Sequence, residues 1–308
     1  MEHAAIRTEG LTKRFGDTLA VDHLDLEVRR GEIFGFLGPN GAGKTTTVRL
    51  LLNLLRPTSG SALIMGLPIH KVERAHRHVS YIPGDVVLWP QLTGSETLAY
   101  LGSLSGQTDP AFRDELIERF QLDADRRVRS YSKGNRQKVA LIAAFMTRPD
   151  ILLLDEPTAG LDPLMEAEFQ ALAREARERG QTVFLSSHLL DEVEDVCDRV
   201  AILRTGKLVE VASLADLRRI SSTIFEVRFD GPPPGFDGVP GVVASEPIGG
   251  GVRLTVEGSP SAVLSRLAGA EVIELRSRTP SLEEIFLTYY DTSAEARRAV
   301  AQAHGGEL

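Results

Sequence analysis

One cysteine, Cys197, stands in the whole chain, so no internal disulfide can form and no cysteine cluster is available to build a zinc module. A lone thiol suits a reducing compartment. Long apolar runs are also missing. The longest, residues 139–146, falls far short of the roughly 20 residues that span a bilayer and reads as a buried helix. The N-terminus lacks the basic start and apolar core of a secretory leader. These features set the expectation of a cytoplasmic protein. Positive charge is scarce too. Lys and Arg total 35 against 43 Asp and Glu, a net charge of -8, which is not the basic footprint of a DNA or RNA partner. Heptad runs and internal repeats are absent as well.

What is present is an ordinary globular mixture, 42% hydrophobic and 25% charged, in 308 residues, a length that suits two domains. Short apolar strands alternate with helical patterns through about residue 215, the texture of an α/β domain with a mainly parallel sheet. The texture then changes. Residues 231–241 and the triplet 249–251 are rich in Gly and Pro and read as loops between strands. Strands are expected at 224–229, 252–256 and 272–275. Ser259 and Pro260 announce one helix. Ser281 and Glu284 have capping-box spacing for another, with Leu282, Ile285, Phe286 and Tyr289 on one face. The expectation is a larger α/β domain over 1–220, with a helical subdomain at about 86–147, and a small α+β accessory or regulatory domain with a tail over 221–308.

Gly38-Pro39-Asn40-Gly41-Ala42-Gly43-Lys44-Thr45 matches the phosphate-loop pattern G-x-x-x-x-G-K-[ST]. A strand, Ile33–Leu37, enters it, and a helix over 46–55 leaves it with Val48, Leu51, Leu52 and Leu55 on one side. Glycines let several backbone N–H groups curl toward one anion, and the helix start adds partial positive charge. Lys44 then reaches the β- and γ-phosphates, and the Thr45 hydroxyl takes Mg²⁺. A chance match would arise in on the order of one in a hundred chains this long, and the strand–loop–helix context makes chance rarer still.

A second apolar run, Ile151–Asp155, ends on Asp155 and Glu156. It suits a central strand buried on both faces, whose carboxyl end is where ligands of open α/β sheets gather. Asp155 is placed to hold Mg²⁺ and Glu156 to polarise an attacking water as general base. Without the phosphate loop these acids would read as a solvated strand end. His188 follows a similar strand at 182–185, where a histidine either contacts a γ-phosphate or caps the next helix.

These motifs, in this order, resemble the ATP-binding cassette (ABC) transporter ATPases over about residues 5–215. The phosphate loop and the strand-end acids match the two Walker motifs. Tyr131-Ser132-Lys133-Gly134-Asn135 sits at the family's signature, usually Leu-Ser-Gly-Gly-Gln. Ala159-Gly160-Leu161-Asp162 matches the loop after the second Walker motif, His188 the switch histidine, and Phe15 the aromatic against adenine. The resemblance implies a P-loop ATPase cassette that binds ATP and Mg²⁺ through Phe15, residues 38–46 including Thr46, Ser132, Gly134 and Asp162. It also implies that Ser132 and Gly134 face the γ-phosphate held by a second cassette. Two departures stand out. Gly84, followed by Asp85, replaces the usual Gln, whose polar role passes to Asp85 or to a bound water. Lys133 places a cation in the signature, either near the partner cassette's phosphates or merely on the surface. His70, His76 and His78 lack the carboxylates or thiols of a metal site and read as solvated.

The phosphate-loop wording, the Tyr-Ser-Lys-Gly signature and the stretch Ser281-Leu282-Glu283-Glu284-Ile285-Phe286-Leu287 resemble the drug- and daunorubicin-resistance branch. That resemblance implies an exporter ATPase encoded apart from its permease. The expectation is a homodimer on an integral-membrane permease, at the inner face of the cell membrane. An import ATPase is the rival within the class. A cassette acting in translation or DNA repair, or one that binds ATP without turnover, is the rival outside it. One cassette with an intact Glu156 and His188 counts against the latter two.

Overall fold

The structure, a computed structural model, describes residues 4–105, 109–188, 193–214, 216 and 223–278. Contacts divide the chain into two compact units between Ala212 and Ser213, rather than at 220. The local reason is a turn that stops the cassette's last strand. The Ser213 hydroxyl donates to Asp216 Oδ2 (2.7 Å) and accepts from the Asp216 N–H (3.0 Å).

In chain order the first unit contains β1 (Ala4–Phe15), β2 (Thr18–Arg29), β3 (Ile33–Leu37), α1 (Lys44–Leu51), β4 (Ser59–Ile64), β5 (Leu67–Pro68), α2 (Val72–Ala75), β6 (Val79–Ile82), α3 (Gly94–Ser105), α4 (Pro110–Arg119), α5 (Lys133–Phe145), β7 (Ile151–Asp155), α6 (Pro163–Glu178), β8 (Thr182–Ser187), β9 (Arg199–Arg204) and β10 (Lys207–Ser213). Two sheets form. One has four antiparallel strands in the order β2-β1-β4-β5. The other has six in the order β10-β9-β3-β8-β7-β6, with β9, β3, β8, β7 and β6 pairing parallel. The mixed, mostly parallel sheet meets the sequence expectation. The antiparallel sheet was not part of it.

Strands β3, β7 and β8 are buried at every residue, which explains why they read as continuous apolar runs rather than alternating ones. Phe34 and Phe36 pack against Phe184 with ring centroids 6.0 and 5.1 Å apart. Each such ring contributes about 1.5–3 kcal/mol by leaving water. The register decides where the chemistry goes. Leu37 lies opposite Ser187, and Asp155 lies opposite Ser186. The chain therefore leaves β3, β8 and β7 at adjacent points on one sheet edge, carrying Gly38, His188 and Glu156.

The helical segment starts with a reciprocal cap on α3: Thr93 N–H donates to Glu96 Oε2 (2.8 Å), and Glu96 N–H donates to Thr93 Oγ1 (3.1 Å). Asp109 caps α4 with Pro110 in its first turn. At the end of α4, Arg119 donates to Glu168 (2.5 Å) and, through two nitrogens, to Glu175 (2.7 and 2.9 Å), both on α6. This fork ties α4 to the lever that starts beside the strand-end acids. Arg119's bond holds the Glu175 carboxyl below its ordinary range. That contribution is present above the unfolded carboxyl's range and is lost as pH falls through the lowered value. Arg119→Ala is expected to cost about 1 kcal/mol near neutral pH and to flatten the loss of stability below about pH 4.5. Thermal melts from pH 7 to 3 check both.

The second unit contains β11 (Thr223–Phe229), β12 (Val242–Ile248), β13 (Gly251–Val256), α7 (Ser261–Leu267) and β14 (Val272–Arg278). Its sheet is antiparallel, ordered β12-β13-β11-β14. Phe225, Val227 and Leu254 on the strands pack with Val263 and Leu267 of α7. The three expected strands and the expected helix are found, with β14 running on to Arg278. Strand β12 was not expected. The capping box at Ser281 and Glu284 lies outside the described residues.

Candidate functional site

The turn from β3 into α1 depends on Gly43. Its φ is 107°, a left-handed value that side chains resist, and an added Cβ would collide with the Ala20 carbonyl of β2. With Gly43 as the cap, α1 begins at Lys44, two residues earlier than expected from sequence. It ends at Leu51 rather than 55, because Asn53 takes a left-handed φ of 53°. Gly38 and Ala42 pack behind the loop: a Cβ on Gly38 would meet Ala42 Cβ and Leu203 O at 2.8 Å. Pro39, Asn40, Gly41, Gly43, Lys44, Thr45 and Thr46 line a cleft of about 360 Å³, which Ala20, Gly84, Lys133, Glu156, Ala159 and His188 complete.

Lys44 is buried, and its Nζ donates to Gly38 O (2.5 Å) and approaches Glu156 Oε1 at 3.4 Å. Glu156 Oε2 lies 2.7 Å from His188 Nδ1. Glu156 is thus gripped by two cationic or proton-bearing neighbours, and its backbone has φ 51°, which costs a non-glycine residue about 1–3 kcal/mol. Such strain persists only where surrounding contacts enforce it. Glu156 N–H bonding to Ser186 O (3.0 Å) is one of these contacts.

Asp155 is fully buried. One carboxylate oxygen accepts from Ser186 Oγ at 2.5 Å, and the other, Oδ2, has no hydrogen-bond partner. An orphaned buried carboxylate oxygen beside a phosphate loop fits a magnesium site, where one or two carboxylates join phosphate oxygens and waters. Asp155 and the Thr45 hydroxyl are the residues that would hold the ion, and it would neutralise developing phosphate charge. Among the described residues no group of three His, Cys, Asp or Glu side chains converges as a metal cage. His76 Nε2 instead meets Leu52 O (3.0 Å), and His78 Nδ1 meets Asp150 Oδ2 (2.6 Å).

Ser132 caps α5, accepting from Asn135 N–H at 3.2 Å, so the helix starts at Lys133. Gly134 sits against Gly160, and a Cβ at 134 would strike the Gly160 carbonyl. Gln137, buried in α5, donates to Pro157 O at 2.7 Å. The start of α5 is thereby fixed to the loop that follows Glu156. Asp162 caps α6, accepting from Leu164 and Met165 N–H at 3.1 Å.

A family model described as ABC transporter matches residues 21–159, and a second, described as ATP-binding protein DrrA1-3-like, C-terminal domain, matches residues 213–290. The Daunorubicin resistance ATP-binding protein DrrA3 of Streptomyces coeruleorubidus is 35% identical over 313 aligned positions, covering 93% of this chain and 96% of that one. The chain belongs to the ATP-binding proteins of ABC transporters. The Probable multidrug ABC transporter ATP-binding protein YbhF of Escherichia coli is 37% identical over 223 residues; the match covers 70% of this chain and 38% of that relative. A solved ATP-binding subunit of an ABC transporter superposes with a TM-score of 0.65 at 30% identity, covering 70% of this chain and 92% of that one.

Within the cassette, the two Walker motifs and His188 meet in one cleft, as the sequence suggested. Seven named residues do not line that cleft: Phe15, Gly38, Ala42, Ser132, Gly134, Asp155 and Asp162. Phe15 stands 47% exposed at the end of β1, with Lys13 Nζ 4.9 Å from its ring centroid, so it is no core residue. Gly84 lines the cleft, and a Cβ there would stand 3.4 Å from Asp155 Oδ2. Asp85 is exposed and is not among the residues that line the cleft. His188 pairs with Glu156; the chain that follows it, 189–192, lies outside the described residues. Sequence reasoning missed Ala20 and Ser186. Ala20 carries no local signal, because its place depends on how β2 crosses the loop. Ser186 was visible only as a polar residue at the end of an apolar run.

Proposed function

We propose that the cassette hydrolyses ATP with Mg²⁺ as one half of a homodimer, and that this cycle powers export by a separate integral-membrane permease at the inner face of the cell membrane. The observation that carries this reading is the meeting of Lys44, Glu156 and His188 in one cleft above the orphaned Asp155 oxygen. Lys44 and the loop amides bind the phosphates. Phe15 offers an exposed ring for adenine. Glu156 accepts a proton from the attacking water while His188 holds its other oxygen. A second cassette brings Ser132 and Gly134 to the γ-phosphate, which links hydrolysis to opening of the pair. The name of the daunorubicin-resistance relative supports export of a drug-like compound. No observation favours import.

The docking surface for the permease is the exposed apolar set around α3. Val87 is 82% and Leu104 66% exposed, and Trp89 packs edge-on to Tyr100 at 5.0 Å with both rings nearly half exposed. Exposed apolar patches of this kind mark protein contacts. Val87→Glu with Leu104→Glu is expected to leave ATPase activity of the isolated cassette within about twofold and to abolish co-purification of the permease. Affinity capture from detergent-solubilised membranes, followed by mass spectrometry, tests both the function and the surface. A polytopic membrane protein at near-equal stoichiometry is the expected companion. Ribosomes or DNA in its place would overturn the transport reading.

A further inference from the structure

We infer that Ser186 is a positioning residue for the divalent ion: its hydroxyl fixes which oxygen of Asp155 is turned toward the cleft. Ser186 is fully buried and lies opposite Asp155 in the parallel pairing of β8 with β7. Its hydroxyl donates to Asp155 Oδ1 at 2.5 Å, within the range of a charge-assisted O–H···O⁻ bond. Among the described residues it is the one donor to that carboxylate, because Oδ2 has no partner. With Oδ1 held, the carboxylate cannot turn about its Cβ–Cγ bond without losing this contact. Oδ2 is left on the side of Gly84, where an added Cβ would stand 3.4 Å from it, and Gly84 lines the cleft together with Thr45. The Ser186 carbonyl takes a second grip, accepting from Glu156 N–H at 3.0 Å. One residue thus holds the ion-binding acid through its side chain and the water-polarising acid through its backbone.

Folding alone gives no reason for a hydroxyl at this position. Val183, Phe184 and Leu185 fill the same strand with buried apolar groups, and a central strand covered on both faces is served as well by valine. A buried hydroxyl contributes little net stability and requires a partner. What it adds here is orientation. A carboxylate that ligates an ion is itself usually held by a hydrogen bond, and loss of that partner costs about 10- to 100-fold in metal affinity. Thr45, the other residue placed to hold the ion, is fixed by the first turn of α1. Asp155 is the ligand whose aim depends on a side chain 31 residues away.

The inference rests on the magnesium-dependent ATPase reading above, and one set of measurements separates the two. Dissociation constants for the β,γ-imido analogue of ATP are measured on the full chain in EDTA and in Mg²⁺, and their ratio is the ion's contribution. Ser186→Ala is expected to cut that ratio about tenfold while the constant in EDTA stays within about twofold of the parent. Ser186→Thr keeps a hydroxyl and is expected to hold the parent's ratio. Ser186→Val has the shape of threonine without the hydroxyl and is expected to fall with alanine, so the pair separates the oxygen from any strain of the added methyl. An unchanged ratio in the alanine variant, equal weakening in EDTA and in Mg²⁺, or a threonine variant that falls with valine overturns the inference while the magnesium reading stands. A parent chain that binds the analogue equally in EDTA and in Mg²⁺, or not at all, overturns both.

Discussion

Glu156→Gln is expected to lower steady-state ATP hydrolysis by about 10²- to 10⁴-fold, the range typical for loss of a general base, and to leave Mg²⁺·ATP bound in a stable dimer. The substitution keeps side-chain length. It keeps an oxygen for His188 and removes the charge that faces Lys44 at 3.4 Å. Binding contacts from the phosphate loop are untouched, so nucleotide affinity is retained while turnover is not. Sedimentation with ATP reads the dimer, and phosphate release reads the rate. A variant that hydrolyses within tenfold of the parent would remove Glu156 from the chemistry. The left-handed backbone at 156 supplies a control. Glu156→Gly relieves that conformation, so it is expected to raise stability by about 1 kcal/mol yet remain as inactive as the glutamine variant. Gain of stability with loss of rate is the mark of strain kept for function.

Much of this site was legible because its signals are local. The phosphate loop is a string of residue types whose backbone demands are known in advance. Strands buried on both faces, such as Ile151–Asp155, show as unbroken apolar runs ending in acids. What stayed hidden depends on contacts distant in sequence. The antiparallel sheet was missed although β2 alternates cleanly over Leu24–Arg29, because its partner β1 shifts register at several points and shows no matching alternation. Strand β12 was missed because it is an edge strand, exposed along most of its length and carrying Pro247, and so has no apolar face to show. The early start of α1 turns on Gly43 and the Ala20 carbonyl, two groups that meet only when β2 is in place. The strain at Glu156 and the place of Lys133 in the cleft lining are likewise tertiary facts. The motif told which residues matter, and the structure supplies which of them are under tension.

Asp155→Asn is expected to move function and stability in opposite directions. In the parent, a carboxylate that is 1% exposed has one oxygen on Ser186 Oγ and the other without a partner. The neighbouring Tyr81 phenol is pushed up, first by burial and then by this charge, so the carboxylate's field is felt around it. A buried charge with an unpaired oxygen costs more than a buried amide with one unmet group. Without metal or nucleotide, the asparagine variant is therefore expected to gain about 1 kcal/mol, or roughly 2–4 °C in melting midpoint for a unit this large. With Mg²⁺ and ATP the order reverses. A ligand at one hundred times its dissociation constant stabilises the parent by about 2.7 kcal/mol, and the part that depends on the ion is lost when Asp155 no longer carries charge. Melts with ATP in EDTA and in Mg²⁺ isolate that part. The variant is expected to show the same midpoint in both and to hydrolyse ATP at least about 10²-fold more slowly. A metal-free variant that melts several degrees below the parent would make Asp155 a structural anchor through Ser186, and the orphaned oxygen would then need another explanation than a magnesium ion.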